Sequence, residues 1–236
     1  MGSSRLEQIA RNRLHATTAP LKRLRQMAVR RRRIDAYLRG TRDPALIIGA
    51  GGQRRSGWLS SDLDPRDPET IRIDATKRLP FPDGSLAYVF AEHMIEHIDY
   101  RQGQALVGEV IRVLRHGGVL RIATPDLVRL AKLVCEPLDA EAKAYVDWSN
   151  ALFGEHVGNR PSFVLNRAMR WWGHTFLYDA PTLRDLLEKA GFTDVEFREV
   201  GDSPHAALRG MEHHGDVVSD AANRFETMVV EASEPL

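Results

Sequence analysis

From Asp43-Pro44 onward, short apolar runs alternate with stretches of helical spacing, and this alternation restricts the fold more than any other feature of the 236 residues. An apolar run too short for a helix reads as a strand buried on both faces, and parallel strands need crossovers of a dozen residues or more. The pattern predicts strands at Leu46–Ala50, Trp58–Leu63, Thr70–Ala75, Leu86–Ala91 and Val119–Thr124, with closing strands at Val195–Val200 and Met228–Val230. A helix is expected near 101–115, where Leu106, Val110, Val113 and Leu114 form one stripe and Gly117-Gly118 supplies a stop. Another starts at Pro181, buries Leu183, Leu186, Leu187 and Ala190, and ends at Gly191. The expectation is an α/β fold: seven strands, a mostly parallel sheet, and helices on both faces.

Length allows one well-buried core with decorations. Formal charge is +1, but residues 1–42 hold twelve Arg and Lys against Glu7 and Asp35, a net of +10 that leaves −9 for the rest. The division expected is a basic helical amino-terminal arm, 1–42, and a main domain, 43–236. Such an arm suits an anionic partner, peripheral contact with a membrane surface included. Residues 127–178 break the alternation and hold eight of the seventeen aromatics, so they read as an insertion over the carboxyl ends of the strands. No run approaches the roughly 18–20 apolar residues of a membrane span, and the start lacks a signal-type apolar run, so the expected address is cytoplasmic. Cys135, the single cysteine, has no partner for a disulfide or zinc ribbon and is expected to be a small buried hydrophobe.

The first strand runs into Gly49-Ala50-Gly51-Gly52, a turn whose backbone amides can approach a ligand closely. The second ends in Asp62-Leu63, where a carboxylate can accept both hydroxyls of a ribose. A dinucleotide fingerprint wants a third glycine and an acid roughly 20 residues on. Here Asp62 follows Gly51 by eleven positions, which disfavours a nicotinamide cofactor and leaves open one without phosphates. The third strand ends in Asp74-Ala75, followed by Leu79-Pro80-Phe81-Pro82-Asp83-Gly84-Ser85. In this order, over about 46–126 and again over 173–192, the chain resembles the Rossmann-like class I S-adenosylmethionine-dependent methyltransferases, in particular the small-molecule group with "LPFPDxS" before the fourth strand. The resemblance implies S-adenosyl-L-methionine as cofactor, with its methionine part over Gly49, Ala50 and Gly51, its ribose on Asp62 beside Leu63, and its adenine edge at Asp74 and Ala75. Arg54 or Arg55 is a candidate for the cofactor's carboxylate.

After the fourth strand comes Glu92-His93-Met94-Ile95-Glu96-His97. It contains His-x-x-Glu-His, a zinc pattern when both histidines share one face of a long helix, but here it directly follows a strand. Under the resemblance Glu92 and His93 border the cofactor, and His97 begins the next helix. Methyl transfer to oxygen needs an in-line hydroxyl and usually a base, for which His is suited. His174 is the first candidate, then His97 and His93. His213-His214 offers no identifiable third ligand, so no metal site is nominated. The aromatic insertion suits a small-molecule or saccharide acceptor. The missing Asp/Asn-Pro-Pro-aromatic tetrapeptide disfavours nucleic acid. The function expected is O-methylation of such an acceptor; the alternatives are an RNA or protein methyltransferase and a non-catalytic scaffold of the same fold.

Overall fold

A computed structural model of the chain describes residues 29–153, 160–214 and 218–236. It divides into two units, Met1–Arg42 and Asp43–Leu236. Within the first, 29–40 is helical (α1); the rest of the arm expected to be helical, 1–28, lies outside the described residues.

The second unit contains seven strands, β1 (Ala45–Ile48), β2 (Trp58–Asp62), β3 (Ile71–Arg72), β4 (Leu86–Glu92), β5 (Leu114–Pro125), β6 (Thr193–Arg198) and β7 (Thr227–Ser233). Their order in the sheet is β3-β2-β1-β4-β5-β7-β6, and β7 alone runs antiparallel to its neighbours. The chain moves outward from β1 to β3 and then returns to β4 on the other side of β1. That reversal puts a topological switch point between β1 and β4. Because Ile48 pairs with Ala91, the turn after β1 emerges beside Glu92 at the end of β4.

The helices of this unit are α2 (Tyr100–Val113), α3 (Leu127–Cys135), α4 (Ala140–Leu152), α5 (Pro161–Arg170), α6 (Ala180–Ala190) and α7 (Asp220–Glu226). Helix α2 starts at Asp99 and Gln102, which cap each other's backbone amides. It buries Leu106, Val107 and Val110 against Ile48, Val89 and Ile122 of the sheet. The opposite sheet face, Ile47, Phe90 and Val119, is covered by Leu208 and Met211 from the segment after β6. The LPFPD segment is clamped onto α2: Leu79 N–H donates to Glu109 Oε2 at 2.8 Å, and Arg112 donates to the Leu79 and Phe81 carbonyls at 3.0 Å.

Several boundaries differ from the sequence expectation. β3 is two residues long, because Asp74 turns the chain by accepting from Thr76 N–H and Oγ1–H. Gly117-Gly118 does not stop α2, which already ends at Val113; the pair lies inside β5, where the register jumps from Leu86↔Leu114 to Tyr88↔Val119 and Gly117 takes φ 69°. His97 sits in a single 3-10 turn, Ile95–His97, and Asp99 rather than His97 opens the helix. Cys135 is exposed, because the face of α3 that packs inward is Leu130 and Leu133.

The segment 127–178 leaves the sheet at Asp126 and returns at Tyr178, which pair as an isolated parallel bridge. Its helices α3, α4 and α5 bury Leu130, Leu133, Tyr145, Val146, Val164 and Ala168 together with Ala222 and Phe225 of α7, a core separate from that of the sheet.

Candidate active site

The carboxyl ends of β1 and β4 flank the switch point. Gly49 has φ 70°, a left-handed conformation open chiefly to glycine, and a Cβ there would lie 2.4 Å from Met94 Cγ. The turn therefore rests directly on the residue after His93. Gly51 has φ 60° and nothing within 4 Å of its missing Cβ, so its backbone is open on the ligand side. Gly51 N–H donates to Asp62 Oδ2 at 2.9 Å, and Asp64 N–H to Asp62 Oδ1 at 2.9 Å. Each oxygen keeps a second lone-pair direction. Gly51, Gly52, Asp62 and Asp64 line an open cleft of about 410 Å³ with Arg66, Asp67 and Thr70.

Ile73 N–H donates to Asp62 O at 2.9 Å, which brings Asp74 and Ala75 to the same rim. The bonds from Thr76 hold Asp74 ionised, its pKa below the usual carboxylate value. Leu63, at the end of β2, is 56% exposed, an apolar surface beside the carboxylate. Arg54 and Arg55 are committed elsewhere: Arg54 pairs with Asp67 and Glu69, and Arg55 lies 3.3 Å from the carbonyls of Arg209 and Gly210.

On the β4 side the His-x-x-Glu-His motif is split. His93 adopts φ 45°, a strained position for a residue with a Cβ. Its Nδ1 lies 3.2 Å from Glu96 Oε1, its Nε2 3.2 Å from Thr227 Oγ1, and its ring stacks on His214 at 3.8 Å between centroids. His97 faces the other way, edge-on to His174 at 4.9 Å. With its histidines in different clusters and only a 3-10 turn between them, the motif is not the two-histidine helical face of a zinc protease.

Glu96 joins the two clusters and was not nominated from the sequence. Its side chain is fully buried, 3.1 Å from Thr124 Oγ1 and paired with His93. Burial raises its pKa, but the His93 partner outweighs this and the net shift is downward. For His93, burial opposes the charged form, yet Glu96, Glu226 and Glu92 raise its pKa overall. Glu92, expected beside the cofactor, accepts the backbone N–H groups of His213 and His214 at 2.9 Å. His214 in turn reaches Glu226 Oε1 from Nε2 at 3.1 Å. The His214 side chain thus meets an acid, Glu226 at the end of α7, and His93 rather than His213 lies with them.

His174 Nδ1 is 2.6 Å from the Ala168 carbonyl. A carbonyl only accepts, so Nδ1 carries the proton and Nε2 keeps a lone pair in the neutral ring. Burial lowers the His174 pKa, which favours that neutral form. Trp172 lies beside it, 5.7 Å between ring centroids.

Residues 55–122 match the family model described as a methyltransferase domain. No curated protein matches the chain significantly. Among solved structures, an S-adenosylmethionine-dependent methyltransferase from Archaeoglobus fulgidus is 17% identical, aligns over 88% of this chain and 94% of its own, and has a TM-score of 0.47. An S-adenosylmethionine-dependent methyltransferase from Mesorhizobium loti gives 16% identity, 83% and 95% coverage, and 0.49. Phosphoethanolamine N-methyltransferase 2 from Haemonchus contortus, in complex with S-adenosyl-L-methionine, gives 17%, 83% and 49%, and 0.46. The seven-stranded sheet with its switch point is Rossmann-like, and residues 55–122 within it match a methyltransferase domain. No helix among the described residues is long and apolar enough to cross a membrane.

Proposed function

We propose that the chain methylates a hydroxyl of a small-molecule or saccharide acceptor, with His174 as general base. The observation that carries this is the Nδ1–Ala168 bond at 2.6 Å, which fixes the tautomer and leaves Nε2 able to take a proton. The glycine turn fits the cofactor: Gly51 is open where a Cβ would project, and Asp62 retains acceptor capacity toward a ribose. In this reading Gly49, Ala50 and Gly51 lie along the methionine part, Asp62 and Leu63 hold the ribose and its neighbouring apolar surface, and Asp74 with Ala75 meets the adenine. Bound S-adenosyl-L-methionine supplies an electrophilic methyl group on a sulfonium.

The residues do the rest. His174 Nε2 would take the proton of an acceptor hydroxyl held in line with that methyl group. Most of the acceleration comes from holding the hydroxyl in line. Trp171 and Trp172 are 40% and 52% exposed, and their indole faces suit the apolar face of a sugar ring. His97, edge-on to His174, orients it; His93 is kept from the acceptor by its bonds to Glu96 and Thr227.

The test is calorimetric titration of the chain with S-adenosylhomocysteine, with NADH as control, followed by a methyl-transfer screen against glycans and small hydroxylated acceptors. Saturable binding of the first alone and transfer to a hydroxyl are expected. Binding without transfer to any hydroxyl acceptor refutes the acceptor class, and no binding refutes the cofactor site.

A further inference from the structure

Behind the glycine turn lie two buried carboxylates balanced only by histidines. Glu96 is fully buried, and the side chain of Glu226 is 14% exposed. Among the described residues neither forms an ion pair with lysine or arginine; the charged groups acting on them are His93, His174 and His214. A buried carboxylate requires a counter-charge.

We propose that His93, His214 and Glu226 bind one divalent transition-metal ion of the zinc class. Two imidazoles and one carboxylate are a donor set for such ions and not for magnesium or calcium, which take oxygen ligands. One ligand atom from each of the three residues lies within 4.8 Å of the others. Glu226 Oε1 and His214 Nε2 are 3.1 Å apart. Two ligands each about 2.0–2.1 Å from a tetrahedral ion stand about 3.3 Å apart, so this pair needs almost no movement.

The surroundings hold the donors as outer-shell groups do at metal centres. Tyr145 Oη–H donates to Glu226 Oε2, leaving Oε1 for the ion. His93 keeps its Nδ1–H on Glu96 at 3.2 Å, the carboxylate partner usual for a histidine ligand, and Nε2 exchanges its 3.2 Å contact with Thr227 Oγ1 for the ion. The backbone of His214 is fixed by its N–H bond to Glu92 at 2.9 Å. Three protein ligands leave a fourth position for water or an acceptor oxygen. A bound ion would tie the end of β4, the 213–214 segment and the α7–β7 junction into one wall of the crevice. The site is independent of the base assigned to His174.

The experiment uses the full chain, stripped with chelator and titrated with Co²⁺ under visible absorption, then with Zn²⁺ in competition. One Co²⁺ per chain with a saturable d–d band, displaced by one Zn²⁺, is expected. His214→Ala and Glu226→Gln should weaken binding at least about tenfold, while His174→Ala binds like the wild type. Glu226→Gln keeps an acceptor for Tyr145, so circular dichroism should show a folded chain even if His214→Ala does not fold. The proposal is overturned by a folded wild type with no saturable band, or by unweakened binding in Glu226→Gln. Loss of the band in His174→Ala would move the ion to Glu96, His97 and His174 and would overturn it equally. Cofactor binding is measured separately, so failure here leaves the methyl-transfer reading untouched.

Discussion

The two rims of the switch-point crevice are built in different ways. On the β1 side the glycine turn, Asp62 and Asp74 all fall between residues 49 and 75, and short-range bonds such as Gly51 N–H to Asp62 shape them. On the β4 side, His93, Glu96 and His97 meet His174 from the far end of the insertion, His214 from the loop after β6, and Glu226 from α7. The first rim can form from turn chemistry alone. The second exists only once the insertion and α7 have packed their shared core around Tyr145 and Phe225. Met94 joins the two, touching Gly49 on one side and following His93 on the other. In the proposed reading the locally encoded rim takes the cofactor and the rim assembled at long range selects the acceptor.

If the β4 side carries the chemistry, His174→Ala should have the largest effect. Turnover is expected to fall by about 10²–10⁴, the usual contribution of a general base, with affinity for S-adenosylhomocysteine unchanged. Turnover within a factor of two of wild type would strip the β4 rim of its role. Gly49→Ala comes next. The added methyl group would meet Met94 at 2.4 Å and be strained at the φ of 70° the turn requires, so a stability loss of about 2–4 kcal/mol is expected in denaturant unfolding. Gly51→Ala carries only the conformational penalty, about 1 kcal/mol, yet should impair cofactor binding more than its stability loss explains. Equal stability losses in the two variants would contradict the packing of the turn on Met94. Asp62→Ala should weaken S-adenosylhomocysteine by roughly 10–100-fold, as for a lost bond to a charged acceptor, with the chain still folded. Wild-type affinity would move the ribose off this carboxylate.

What the sequence disclosed follows the same division. The glycine turn, Asp62 and Asp74 were legible because turn residues act within a few positions of themselves. So was α6, whose Pro181 in the first turn and left-handed Gly191 at the end are local signals. Glu96 was not: its bond to His93 is local, but Thr124 and the segments that bury it come from elsewhere in the chain, and the hexapeptide gives no sign of them. Glu226 was hidden likewise: its link to His93 spans more than half the chain. Arg121 shows the same blindness within the core. It sits in an apolar strand, fully buried, and only the fold reveals Glu212 at 2.6 Å and Glu231 at 2.7 Å as its counter-charges. Gly117-Gly118 misled for another reason, since a glycine pair signals a turn without saying whether a helix or a strand contains it.

The smallest effect concerns pH, and it separates the two histidine clusters without removing any group. Burial lowers the pKa of His174, while nearby carboxylates raise that of His93. A general base works in its neutral form, so turnover governed by His174 should rise with pH through a value below the ordinary histidine pKa of 6.5 and stay level above it. The sign for stability agrees: a histidine whose pKa is depressed on folding favours the native state above its unfolded pKa, and that contribution is lost as pH falls through the window between the two values. Turnover governed by His93 would instead keep rising above the ordinary value, because its proton is retained longer by Glu96. A kcat profile between roughly pH 5 and 9 at saturating cofactor therefore assigns the base by the side of 6.5 on which the inflection falls. An inflection above it would place the proton acceptor in the cluster that also includes His214 and Glu226, and the insertion would then serve to position the acceptor without taking its proton.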